Sequence, residues 1–185
     1  MSRSNSSRSS KLDLRGNVSP DRVVPAAHGA FVWITLILVW LVSLLPWRVW
    51  NAAPDMLLLT IAFWCVHQPS RVGLLTAFVF GLLMDVHDAG LMGELALNYT
   101  LVAYGAVVLN RRLQRFDLLG QAIHLFPVFL AAKFFTILLH AWIAGRWPGW
   151  DWALGVVIAT AVFPLWGWVL QLPQRGDDDR DAANA

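Results

Sequence analysis

The sequence predicts an all-α integral membrane protein, a bundle of about six transmembrane helices with both termini in the cytoplasm. Three observations support this. Of 185 residues, 57% are hydrophobic and only 14% are charged, whereas a soluble domain carries about 25% charged residues. The apolar residues come in long runs, not in the amphipathic stripes of a soluble helix. There are eleven tryptophans, and indoles favour the boundary between membrane and water. The formal net charge of +2 is not a nucleic-acid signal, because most basic residues flank apolar segments, where topology accounts for them. Cys65 is the only cysteine, which excludes an internal disulfide and a cysteine metal cluster.

Residues 1–25 are rich in Ser and Arg and cannot bury a core, so a disordered cytoplasmic tail is expected. The first span is expected over 26–45. Pro46 ends it, Trp47 and Trp50 mark the far interface, and no small-residue cleavage site closes it. The second, 53–68, opens on Pro54-Asp55, a proline suited to a first helical turn and an acid favoured there. Its apolar core is short, so it must tilt little or be shielded by neighbours. Pro69-Ser70-Arg71 then turns into a third span, 71–87, and a fourth follows over 92–110, ending in the basic loop RRLQRFD. The fifth, 121–144, holds Pro127 and a lone Lys133. The sixth, 152–172, follows the Trp-rich loop GRWPGWDW and contains Gly155-xxx-Ala159, with a kink expected at Pro164. Residues 173–185, with Asp177, Asp178 and Asp179, are expected to form a second disordered cytoplasmic tail. Residues 26–172 thus make one membrane bundle. Neither a loop large enough for a nucleotide-binding domain nor a GxxxxGK[ST] motif is present.

Loop charges set the orientation. With six spans, one side receives Arg3, Arg8, Lys11, Arg15, Arg22, Arg71, Arg111, Arg112, Arg115, Arg175 and Arg180; the other receives Arg48 and Arg146. The positive-inside rule places the first side, with both termini, in the cytoplasm.

The bundle is expected to pack around Arg71 to Asn98. Gly73, Ala77, Gly81 and Asp85 recur every four residues and share one helix face, where small side chains let another helix approach closely in lipid. Asp85 sits at the end of that stripe, and Gly93 and Glu94 open the next helix. A charge there is expensive unless answered. Asp55, Asp85, His87, Asp88 and Glu94 collect at one end of the bundle, a set that could hold a hard metal or an acid/base pair. Helix-start electrostatics explain Asp55 and Glu94 better, a water-exposed turn explains His87 and Asp88, and Asp85 is assigned to packing or partner recognition. No metal or catalytic residue is assigned, and no cofactor. Lys133 costs roughly 3 kcal/mol if mid-bilayer and unpaired, so it should snorkel, contact a partner's helix, or pair with Asp85 or Glu94. His140, on about the same face as Lys133, reads as an ordinary packing residue.

These residues resemble the rod shape-determining protein MreD family. The resemblance runs from about Leu44 to Arg175. It is carried by Leu45-Pro46-Trp47, by Pro54-Asp55 opening a Leu-rich span with Trp64, and by Pro69-Ser70-Arg71-Val72-Gly73. Ala77-Phe78, Gly81-Leu82-Leu83, Asp85, Met92-Gly93, Ala103-Tyr104, Phe116 and Gln121-Ala122 continue it. The chain departs from the family in having Met92-Gly93 for Leu-Gly, Ala89-Gly90 after the acid, and His87-Asp88. The resemblance implies a multi-pass protein of the bacterial inner membrane, without enzymatic activity, in the cell-elongation machinery that builds lateral peptidoglycan. The partners it implies are MreC, MreB directly or indirectly, and RodA with its penicillin-binding transpeptidase, alongside membrane lipid. The family is also thought to look like the substrate-binding subunits of vitamin transporters, a likeness of fold that does not establish binding.

The leading functional expectation is therefore a scaffold that assembles through helix packing, in which Gly81→Leu would block assembly and leave insertion intact. The rival is a small-solute-binding subunit of a transporter, for which Lys133, Thr136 and His140 are the only polar candidates at depth. An intramembrane enzyme comes third, since no Ser/His, paired-Asp or zinc pattern lies within the spans.

Overall fold

The computed structural model describes residues 29–45, 54–147 and 149–183, the last of these with side chains as far as Leu172. Among the described residues there are six helices and no strand: α1 Gly29–Ser43, α2 Met56–His67, α3 Leu74–Asp88, α4 Glu94–Leu113, α5 Leu118–Ala144 and α6 Asp151–Ala183. Each apolar segment of the sequence forms one helix. Residues 1–25 and Pro46, Arg48, Trp47 and Trp50 lie outside the described residues.

Local chemistry sets several ends. The Asp55 carboxylate caps α2, and at the other end Gln68 N–H bonds Trp64 O at 2.7 Å. The Pro69-Ser70-Arg71 turn closes with Arg71 and Val72 N–H on Gln68 O, both at 3.1 Å. That turn consumes Gly73, which sits just ahead of α3 in extended backbone, so the first member of the small-residue stripe is not in the helix. Asp117 occupies the capping position of α5, which starts at Leu118, three residues before the expected 121. Pro164 and Pro173 both lie inside the helical run of α6. The backbone is helical to Ala183, whereas a disordered tail was expected from 173.

Helix directions follow from cross-links. Tyr99, in the second turn of α4, bonds Asp55 at the start of α2, and Gln114 Nε2, after the end of α4, donates to Val66 O at 2.8 Å near the end of α2. The two helices therefore run parallel and pack on each other, and α3, which links them in sequence, returns antiparallel against α4. His140, late in α5, reaches Glu94 at the start of α4, so α5 runs against α4.

α2 is the core of the bundle. Every residue from Leu57 to Val66 is buried, against α1, α4 and α6. A helix that is apolar all round has no face to give to water. Its twelve residues rise only about 18 Å, well short of the ~30 Å hydrocarbon core. Neighbours, not lipid, therefore surround it. Two tryptophans pin it: Trp64 Nε1 donates to Thr35 Oγ1 of α1 at 3.1 Å, and Trp166 Nε1 of α6 donates to Thr60 Oγ1 at 2.8 Å. Hydrogen bonds between helices in lipid contribute about 0.6–2 kcal/mol each.

The outer surface is the reverse of a soluble protein's. Ile34, Leu38 and Leu41 of α1, Leu75, Phe78 and Val86 of α3, Phe135 and Trp142 of α5, and Leu154 and Leu165 of α6 are all exposed. Inside are Asp85, Asn98, Gln121, Thr60 and Thr136. Water penalises contiguous apolar exposure on this scale, and lipid does not. α5 and the Asp151–Leu172 part of α6 are long and apolar enough to cross a membrane unaided.

Candidate functional site

Two of the acids singled out in the sequence, Asp85 and Glu94, meet at one helix start, that of α4. The approach begins with Gly81. A Cβ built there would lie 2.5 Å from Ala96 Cα, 2.8 Å from Ala96 N and 2.9 Å from Leu95 O, all α4 backbone. Only glycine permits α3 and α4 to come this close. Ala77, one turn earlier, is fully buried. The stripe that remains, Ala77 and Gly81, is spent inside the bundle.

Close approach delivers the first turn of α4 to Asp85, one turn after Gly81. Asp85 Oδ2 accepts from Gly93 N (3.0 Å) and Ala96 N (3.0 Å), and Oδ1 accepts from Leu95 N (2.8 Å). A helix start leaves four N–H groups without intrahelical partners and carries about half a positive charge. Gly93 has no side chain to cap α4 with, so an aspartate from the preceding helix does so. Gly93 holds φ +94°, which L side chains rarely adopt. Asp85 is only 3% exposed, and its charge is answered by these three N–H donors. A buried carboxylate so satisfied needs no cation.

Asp55 repeats the device. Its Oδ1 accepts from Leu57 N at 3.1 Å and Leu58 N at 3.2 Å, capping α2, while Oδ2 accepts from the fully buried Tyr99 hydroxyl at 2.5 Å. One carboxylate thus caps α2 and joins it to α4. Glu94, in the first turn of α4, has Oε2 at 2.8 Å from His140 Nδ1, which joins α4 to α5. His140 is therefore more than the packing residue the sequence suggested.

The pairing considered for Lys133, with Asp85 or Glu94, is not the arrangement found: backbone donors take the first and His140 the second. Lys133 instead lines a cavity with Asp55. His87 and Asp88 are exposed in the last turn of α3. Tyr99 and Asn98 carry no local pattern that marks them, and His140 is marked in the sequence only by its depth and by sharing a face with Lys133. The signal available was chemical: a histidine and a glutamate in an apolar chain each need a partner. Among the described residues no group of three His, Cys, Asp or Glu side chains is placed to hold a metal ion. The acids are engaged in holding helix starts together. Such an arrangement fixes the relative positions of α2, α3, α4 and α5.

No solved structure matches the chain. The family model for rod shape-determining protein MreD matches residues 27–175, which takes in α1 to α5 and the apolar part of α6. The chain belongs to the rod shape-determining protein MreD family, and its role is in rod-shape determination.

Proposed function

We propose that this chain is a non-enzymatic scaffold of the bacterial inner membrane, crossing it six times with both termini in the cytoplasm. It would help assemble the elongation machinery for lateral peptidoglycan synthesis, in contact with MreC and, through the assembly, with MreB, RodA and its penicillin-binding transpeptidase. One observation carries the reading: the buried Asp85 and the partly buried Asp55 and Glu94 are engaged in joining helices, while the apolar faces of the bundle point outward. A rigid body with apolar sides is what a membrane scaffold offers its neighbours.

The orientation rests on charge. Arg71, Arg111, Arg112 and Arg115 are exposed at the end of the bundle opposite the carboxylates, with the N-terminus of α1 beside Arg71. Basic residues are retained on the cytoplasmic side, and each contributes about 1 kcal/mol at an anionic leaflet. The internal use of Ala77 and Gly81 narrows where a partner could bind. α3 packs chiefly on α4, so its opposite face, with Leu75, Phe78 and Val86, is the one we assign to a partner helix. Full-length chain and MreC, co-expressed and solubilised in mild detergent, should co-purify, and Phe78→Arg should reduce recovered MreC at least tenfold without loss of the folded chain. Full recovery with Phe78→Arg would remove α3 as the contact, and no co-purification with wild-type would remove the scaffold reading.

A further inference from the structure

Two turns meet at the basic end of the bundle. The α2–α3 turn is held to the end of α2 through Val72 O, which accepts from Cys65 Sγ at 3.4 Å. The loop after α4 is held to the same place by Gln114, whose Nε2 donates to Val66 O. The first turn carries Arg71, and the end of α4 with its loop carries Arg111, Arg112 and Arg115, all exposed. The Arg71 guanidinium lies against Gly29, where α1 begins with no acid in its first turn. A helix start adds about half a positive charge.

These cations are not answered by the chain. Among the described residues none of the four arginines takes part in an ion pair. The acid described at this end is Asp117, two residues after Arg115. The aspartates of the C-terminal stretch stand further out. Gly167 of α6 is level with Leu118, since a Cβ there would lie 3.0 Å from Leu118 Cδ2. Asp177 comes ten residues later in the same helix, about 15 Å of rise. That exceeds the ~8 Å screening length at physiological salt.

The surface next to the arginines is apolar. Tyr104, Val108 and Arg112 are spaced by four on one exposed face of α4, which therefore passes from apolar to basic at its end. Leu119 and Ile123, four apart at the start of α5, are 69% and 70% exposed. Phe116 of the loop stacks on His124 with ring centroids 4.6 Å apart, which fixes the loop against α5. α4 and α5 pack on each other, so both apolar faces border the same arginines. A water-borne acidic partner would leave those apolar side chains uncovered. A lipid covers them with its chains and meets the guanidinium groups with its phosphate.

We infer that this end of α4, with its loop to α5, binds anionic phospholipid, the phosphate on Arg111, Arg112 and Arg115 and the acyl chains along the exposed faces of α4 and α5. Clusters of basic residues immediately beyond a membrane helix recognise anionic head groups. The inference rests on the bundle lying in a membrane, and on neither its orientation nor any protein partner. Topology alone requires arginines on one side and gives no preference between lipids.

The test uses the full chain purified in dodecyl maltoside, titrated separately with dioctanoylphosphatidylglycerol and dioctanoylphosphatidylcholine while its thermal unfolding is followed. The two lipids share their chains, and only the first is anionic. Half-maximal stabilisation should need at least tenfold less of the phosphatidylglycerol. That preference should collapse for wild-type in about 1 M NaCl, which shortens the screening length to about 3 Å. It should also collapse in the combined Arg111→Gln, Arg112→Gln, Arg115→Gln variant and largely persist when the same three become Lys. Arg146→Gln, which removes an exposed cation at the other end of the bundle, should keep it in full. Equal responses of wild-type to the two lipids would overturn the proposal while leaving the bundle a membrane protein, its arginines then serving topology or an acidic protein. A preference that survives both high salt and the Gln variant, or that Arg146→Gln loses as completely, would overturn it too. So would inorganic phosphate acting at the same concentration as the phosphatidylglycerol, since the chains would then contribute nothing.

Discussion

Asp85→Ala should unfold the α3–α4 hairpin more than any other single polar substitution in the described bundle. It removes the acceptor of three backbone N–H groups at once, that of Ala96 buried and those of Gly93 and Leu95 part-buried. Orphaned buried donors cost about 1–3 kcal/mol each. Since the costs are not additive and a helix start can fray, a total of roughly 3–5 kcal/mol is expected. For a chain of this size that lowers the unfolding temperature by about 10 °C. Asp85→Asn should fall between the two, because its single amide oxygen can accept while its NH₂ opposes the remaining donors. The measurement is thermal unfolding of the purified chain in detergent. A melting temperature for Asp85→Ala equal to that of wild-type would mean that α4 does not depend on the cap.

The second large effect belongs to Gly81. The sequence suggests that Gly81→Leu blocks assembly and leaves insertion intact, with the stripe facing a helix inside the bundle or on a partner. The structure moves the expected damage inward. Even a methyl group at 81 would collide with Ala96 Cα, N and the Leu95 carbonyl, and backbone cannot swing aside as a flexible side chain can. Gly81→Ala should therefore cost at least the ~1–3 kcal/mol typical of overpacking, and Gly81→Leu should prevent α3 and α4 from docking. Gly73→Ala is the matched control. A Cβ there meets nothing nearer than Pro69 O at 3.9 Å, so its effect should stay within about 0.5 kcal/mol. Because Gly81 sets how closely α4 approaches Asp85, the Gly81→Ala, Asp85→Ala double variant should lose less than the sum of its parts. Additive losses would show that the close contact and the cap are independent.

Local features of this architecture were readable from the chain, and relations between distant helices were not. The four-residue spacing of Ala77, Gly81 and Asp85 marks one face of α3, and the answer to the Asp85 charge lies only eight to eleven residues on, within a hairpin whose turn residues are visible in the sequence. Asp55 as a helix-start residue needs nothing more distant than Leu57 and Leu58. Gly73 fits the same spacing but is taken by the turn, because Pro69-Ser70-Arg71 closes on Gln68 O before the helix begins. Periodicity could not foresee a competing hydrogen bond. The all-round apolarity of α2 signalled burial, and its shortness fits a helix shielded by others. Glu94 with His140, Tyr99 with Asp55 and Lys133 in its cavity depend on how each helix is rotated about its axis. Nearly continuous apolar runs leave that rotation unspecified, since no polar face distinguishes inside from outside.

The central claim, that this bundle serves rod shape, is tested most directly by depleting the chain in its own rod-shaped host and scoring cell outline while a second copy is supplied. Depleted cells should round. Wild-type and Gly73→Ala should restore rods, and Asp85→Ala should fail in proportion to its loss of folded protein in the membrane. Cells that stay rod-shaped through depletion, with no second chain of the same family to cover the loss, would contradict the account.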